Sequence, residues 1–177
     1  MSWVSKVSVN TSVVADAGWC LWLAQESVGA AHLYPNARVA WDNVSDKHRD
    51  RDYQQDAVVA LFWDWKSKTD GINYGHVVIN VPGKGLFSSP KNWGEHGNAW
   101  YGSIDEVSAW LGASYLGWGT DLSGLKLSEW VDPKPSKAEI AAARRSAKEA
   151  TKEAAKQKKI RIVARRSARK AAKQDKI

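Results

Sequence analysis

A single cysteine among 177 residues, Cys20, excludes any disulfide within the chain, and with it the small secreted scaffolds that depend on such bonds. No apolar run approaches the roughly 18 residues that a membrane-spanning helix needs. The N-terminal Met1-Ser2-Trp3-Val4-Ser5-Lys6 also lacks the continuous apolar core of a signal peptide. These absences predict a soluble product made in the cytoplasm, for which export would need help. The four histidines, His32, His48, His76 and His96, show no zinc-like spacing with cysteine or aspartate. Asp46, His48 and Asp50 lie close together, but alternating charge in a loop is ordinarily solvation, so neither a metal nor a cofactor is expected.

What is present is unevenly distributed. Residues 1–132 hold 10 Lys and Arg against 15 Asp and Glu, whereas residues 133–177 hold 16 against 4. The chain is therefore a mildly acidic body carrying a strongly basic tail, with Pro133 and Pro135 marking the boundary. From Ser136 onward there is no glycine, proline or aromatic residue. Alanine, lysine, arginine and glutamate predict a helix there, and Ile140, Ile160, Ile162 and Val163 are too sparse for a core-facing stripe. Such a tail suits an anionic surface; nucleic acid is disfavoured because no aromatics interleave the charges. All 11 tryptophans lie in the body, where indoles serve as core or as platforms for sugar rings.

Within the body, Val4–Val14 reads as an extended lead-in. A helix follows, with Asp16 or Gly18 as its cap, Gly29 at its C-terminal end, and Cys20, Leu23 or Ala24, and Ser27 on one face. A short helix over about 36–44 and a polar surface loop over 45–56 holding His48 come next. Residues 57–65 read as a buried strand with Trp63 and Trp65 in the core. Strands at 75–81 and from Leu86, joined by the Pro82-Gly83-Lys84-Gly85 turn, complete an antiparallel meander. Residues 91–101 read as irregular, with His96 at the surface. Ser103 and Glu106 form a capping-box pattern that opens a helix to Gly112, and short extended pieces at 115–125 close the body.

A lone cysteine is usually inert, and so is a lone histidine; a nucleophile and its base are found as a pair. Cys20 falls in the first turn of a helix, where the dipole and a nearby imidazolium would lower its pKa and the backbone N–H could meet an oxyanion. His76 opens a central strand and can supply the base. Trp19 and Trp22 flank the cysteine as cleft walls, with Trp93 a third candidate contact to substrate.

The Gly18-Trp19-Cys20 helix start, the Gly75-His76-Val77-Val78-Ile79 strand, the Gly85-Leu86-Phe87-Ser88-Ser89 return, and Tyr101-Gly102-Ser103-Ile104-Asp105-Glu106 leading to Tyr115-Leu116-Gly117-Trp118 resemble a bacteriophage endolysin domain. The type is the CHAP and NlpC/P60 group of cysteine peptidases and amidases, and the resemblance covers most of residues 15–127. It implies an α+β, papain-like fold, with the cysteine helix packed on an antiparallel sheet and the basic helix appended. It also implies a monomer made in the host cytoplasm and acting at the cell wall after release, which cleaves peptidoglycan amides without metal. The tail would hold anionic envelope polymers or lipids. Cys20 matches the nucleophile and His76 the base. Where such enzymes place a polar residue to orient the histidine, this chain has Ser88-Ser89-Pro90, so Ser88, Ser89, Asn80 or a backbone carbonyl takes that role. A non-catalytic wall-binding or virion module on the same fold is the competing expectation.

Overall fold

The strand Val59–Asp64, β4, explains why the body folds as it does. Its sequence, Val-Ala-Leu-Phe-Trp-Asp, is apolar at every position but the last, as expected of a strand covered on both faces. In the computed structural model, which describes residues 2–132 and 136–174, both faces are indeed covered. The elements in chain order are β1 (Ser2–Ser5), β2 (Ala15–Asp16), α1 (Cys20–Val28), α2 (Ala37–Asp42), β3 (Lys47–His48), β4 (Val59–Asp64), β5 (His76–Val81), β6 (Gly85–Ser88), β7 (His96–Gly97) and β8 (Ala99–Tyr101). There follow α3 (Ile104–Leu111), β9 (Ser114–Gly119), β10 (Asp121–Leu122), β11 (Leu125–Lys126), β12 (Ser128–Val131) and α4 (Lys137–Gln174). The fold is thus mixed α+β, around a six-stranded antiparallel sheet in the order β3-β9-β4-β5-β6-β8.

Alternation along β4 sorts the core into two layers. Ala60 and Phe62 join Cys20, Leu21 and Ala24 of α1 and Trp41 of α2. Val59, Leu61 and Trp63 join Ile104 and Val107 of α3. Each of these β4 side chains is fully buried, so together they supply several kcal/mol at about 25 cal/mol per Å² of apolar surface. The β4-β5-β6 meander and α1, α2 and α3 lie where the sequence places them. Ser103 accepts from the Glu106 N–H at 3.1 Å, but the Glu106 carboxylate reaches the Gly102 N–H at 2.7 Å rather than that of Ser103.

Several expectations are corrected. The N-cap of α1 is Trp19, without a side-chain capping bond, and not Asp16 or Gly18; Asp16 is engaged instead by His96 at 2.8 Å. The loop expected at 45–56 contains β3, an edge strand on β9, and His48 is half-buried, stacked on Trp118 at 3.8 Å. Residues 91–101 hold β7 and β8, and the pieces near 115 form β9, an interior strand paired with β3 and β4. The lead-in read at Val4–Val14 shares only Val4 and Ser5 with a strand, β1, which pairs with β12. These strands are short or glycine-containing, and long-range partners make them where local pattern is weak.

The chain divides into two compact units, 1–132 and 133–177. In the second, α4 opens on a reciprocal capping box: the Glu139 N–H donates to Ser136 Oγ at 3.1 Å and the Ser136 N–H to Glu139 Oε2 at 2.7 Å. Ile140 is exposed; the side chains of Ile160, Ile162 and Val163, like the Pro133–Pro135 boundary, lie outside what is described. Among the described residues no helix is long and apolar enough to cross a membrane.

Candidate active site

Cys20 is the first residue of α1, and that helix packs on β5 at its His76 end. The backbone N–H groups of Val77, Leu21 and Cys20 itself act on the thiol in the direction that favours a thiolate. Burial outweighs them and pushes the thiol up to about 11. His76 opens β5, and burial holds its imidazole down at about 3. The expectation of a lowered cysteine pKa beside an imidazolium is therefore corrected. Desolvation penalises both charged forms, so the resting pair is a neutral thiol and a neutral imidazole. Among the described residues the thiol and imidazole share no hydrogen bond.

The ring of His76 is oriented all the same. Ser88 Oγ lies 3.2 Å from His76 Nε2 and donates its own hydrogen to the Val77 carbonyl at 2.8 Å. A hydroxyl has one hydrogen, so Ser88 accepts from Nε2–H and leaves Nδ1 as the basic nitrogen. Trp110 of α3 packs edge-on against the ring at 5.2 Å, and Trp63 lies 6.5 Å away. Of the other candidate orienters, Asn80 is committed elsewhere, its amide donating to the carbonyls of Gln54, Gln55 and Ala57. Ser89 Oγ is buried without a partner.

Cys20 and His76 both line one cleft of about 730 Å³, together with Trp19, Trp22, Trp93 and Ser89. Trp65, expected in the core, is half-buried and lines the same cleft, as does Trp110. The sequence offers no sign of either placement, since β4 ends before Trp65 and α3 docks through non-local contacts. Nor does it signal Tyr101, whose buried hydroxyl lacks a partner and whose pKa is raised, first by burial and then by a charge on Cys20. His96, expected at the surface, is exposed and paired with Asp16. His48 faces Asp46 at 3.3 Å and Asp50 accepts from Trp118 Nε1 at 3.0 Å; among the described residues no group of three or more His, Cys, Asp or Glu is arranged to hold a metal.

Gly75 sets the position of His76. Its φ is +64°, and a Cβ there would stand 2.6 Å from the backbone nitrogen of Arg38 at the start of α2. That same nitrogen donates to the Tyr74 carbonyl at 2.9 Å. Gly75→Ala adds a left-handed penalty to a backbone clash, with an expected loss of roughly 2–4 kcal/mol, read as a lowered urea midpoint with unchanged slope.

Compared with known protein families, curated sequences and solved structures, the chain matches none.

Proposed function

We propose that the body is a papain-like cysteine hydrolase of the CHAP and NlpC/P60 type, a phage lysin that opens amide bonds of bacterial peptidoglycan. The observation that carries this reading is the oriented histidine. His76 Nε2 is held by Ser88 and Nδ1 is left free, in the cleft where the helix-initial Cys20 sits. As the sulfur attacks the carbonyl carbon, Nδ1 takes the thiol proton, so charge separates only once the substrate is engaged. The Cys20 N–H, at the positive end of α1, stabilises the oxyanion. The imidazolium then protonates the leaving amine, the C–N bond breaks, and water activated by the same nitrogen hydrolyses the thioester. Ser88 is a positioning residue that keeps the productive tautomer. The test is turbidity loss of purified walls with the wild-type chain and with Cys20→Ala; hydrolysis surviving in the variant would rule out the mechanism.

A second reading, a non-catalytic wall-binding or virion module on this fold, is favoured by one observation: the thiol and imidazole are both desolvated and share no hydrogen bond. Full-length protein that binds walls but leaves their amide bonds intact would establish it.

For the tail, the proposal is attachment to an anionic envelope polymer or lipid surface. Residues 154–174 of α4 contain nine Lys or Arg and no Asp or Glu, and each cation near an anionic surface is worth about 1 kcal/mol at low salt. Deleting residues 134–177 should reduce binding to whole walls in low salt while sparing hydrolysis of soluble fragments. Equal wall binding by both proteins would refute the role.

A further inference from the structure

The exposed aromatic side chains are concentrated around Cys20. Among the described residues the exposed Trp and Tyr are Trp19, Trp22, Tyr74, Trp93, Trp100 and Trp130, and the first four line the one cleft. Trp93 is 78% exposed, Trp19 57% and Trp22 36%. Leaving large apolar faces in water is unfavourable, and contiguous patches of this kind mark binding sites. The patch is built. Gly18, at φ +93°, brings the backbone so close beneath Trp93 that a Cβ would stand 2.8 Å from its ring. Trp19 meets Trp22 edge to face, with centroids 6.4 Å apart. Trp19 immediately precedes the nucleophile, and Trp93 sits over the residue two positions before it.

We infer that these indoles are a platform for the sugar rings of the glycan strand, so that the amide presented to Cys20 is the one joining sugar to stem peptide; the inference rests on the reading of this cleft as a peptidoglycan hydrolase. The reason lies in the two halves of the substrate. A stem peptide of alanine, an acidic residue and a diamino acid offers no broad apolar face to stack on. A pyranose offers a flat C–H face that suits an indole, with hydroxyls at its edge. Polar partners for such hydroxyls stand at the cleft wall in Asp70, His32 and Lys91. Because the platform adjoins the nucleophile, a sugar seated on it places its own acyl substituent over the sulfur, whereas an amide farther along the stem would leave the platform empty.

The test uses the full chain bearing Cys20→Ala, which keeps the cleft and cannot turn over. Titration with peptide-free N-acetylglucosamine tetramer, followed by indole fluorescence, is expected to show saturable binding, and a synthetic stem pentapeptide none. Trp93→Ala in the same background should weaken tetramer binding at least tenfold, and Trp93→Tyr should retain most of it. Trp93 is exposed, so its removal does not threaten the fold. No binding of the tetramer, or equal binding by Trp93→Ala, overturns the platform. Wild-type digests of walls analysed by mass spectrometry should yield stem peptides with a free N-terminal amine and sugars without peptide; cuts confined to the peptide overturn the assignment of the bond. Tetramer binding with no fragments released would refute hydrolysis and leave the platform standing.

Discussion

Cys20→Ala and His76→Ala are each expected to lower wall hydrolysis at least about 10³-fold, and the double variant to be no worse than either alone. Nucleophile and base act as a unit, so removing one leaves the other nothing to do. The pH behaviour separates this site from a resting ion pair. With the thiol pushed up to about 11 and the imidazole held at about 3, the neutral pair persists across the intervening range. Hydrolysis should therefore be nearly flat from about pH 6 to 9, without an acid limb near the ordinary histidine pKa. Alkylation of Cys20 by iodoacetamide should rise about tenfold per pH unit from 7 to 10, because the reactive thiolate is a minor species throughout. A plateau in alkylation from pH 5 upward would mean a thiolate–imidazolium pair, and with it a hydrated cleft.

The same burial predicts marked acid sensitivity of the fold. His76 takes up a proton near pH 6.5 when unfolded but only near 3 when folded. The unfolded state binds the extra proton between those values, so stability is fully present above about pH 6.5 and is lost as pH falls toward 3. The slope approaches 1.4 kcal/mol per unit, and the total is roughly 3–5 kcal/mol, a large share of the stability of a domain this size. Urea unfolding at pH 7, 6, 5 and 4.5 reads it, in a window mostly above the range where unfolded carboxylates titrate. In His76→Gln, which keeps an amide donor for Ser88 but does not titrate, the slope in this window should fall to near zero. An undiminished slope would place the acid-sensitive group elsewhere. The neutral thiol acts in the opposite direction: it is retained to about 11 in the fold but ionises near 9 when unfolded, so stability also declines above about pH 9.

Much of the body was legible in the chain because it is encoded locally. The buried run at β4, the turn before β6, the capping serine at Ser103 and the glycine ends of α1 and α3 each state a backbone preference within a few residues. The junction of body and basic tail was equally plain, since charge and composition change there together. The weaker strands escaped: β3, β7 and β8 are two or three residues long and exist only because β9, β2 and β6 lie beside them.

The residues of the candidate site follow the same division. The amino-acid order alone determined that a cysteine would begin a helix, that a histidine would open a strand, and that a serine-bearing strand would follow the next turn. Tertiary structure decided how those groups behave. It chose Ser88 over Asn80 as the partner of Nε2, because neighbouring antiparallel strands set Ser88 beside His76 while the 54–57 loop captured Asn80. It turned Trp65 and Trp110 into cleft lining. It also left both Cys20 and His76 uncharged, because a helix dipole and a few N–H groups stabilise a thiolate less than burial between helix and sheet destabilises it. A pKa depends on solvent access from every element packed around the group, and one stretch of sequence does not contain that quantity.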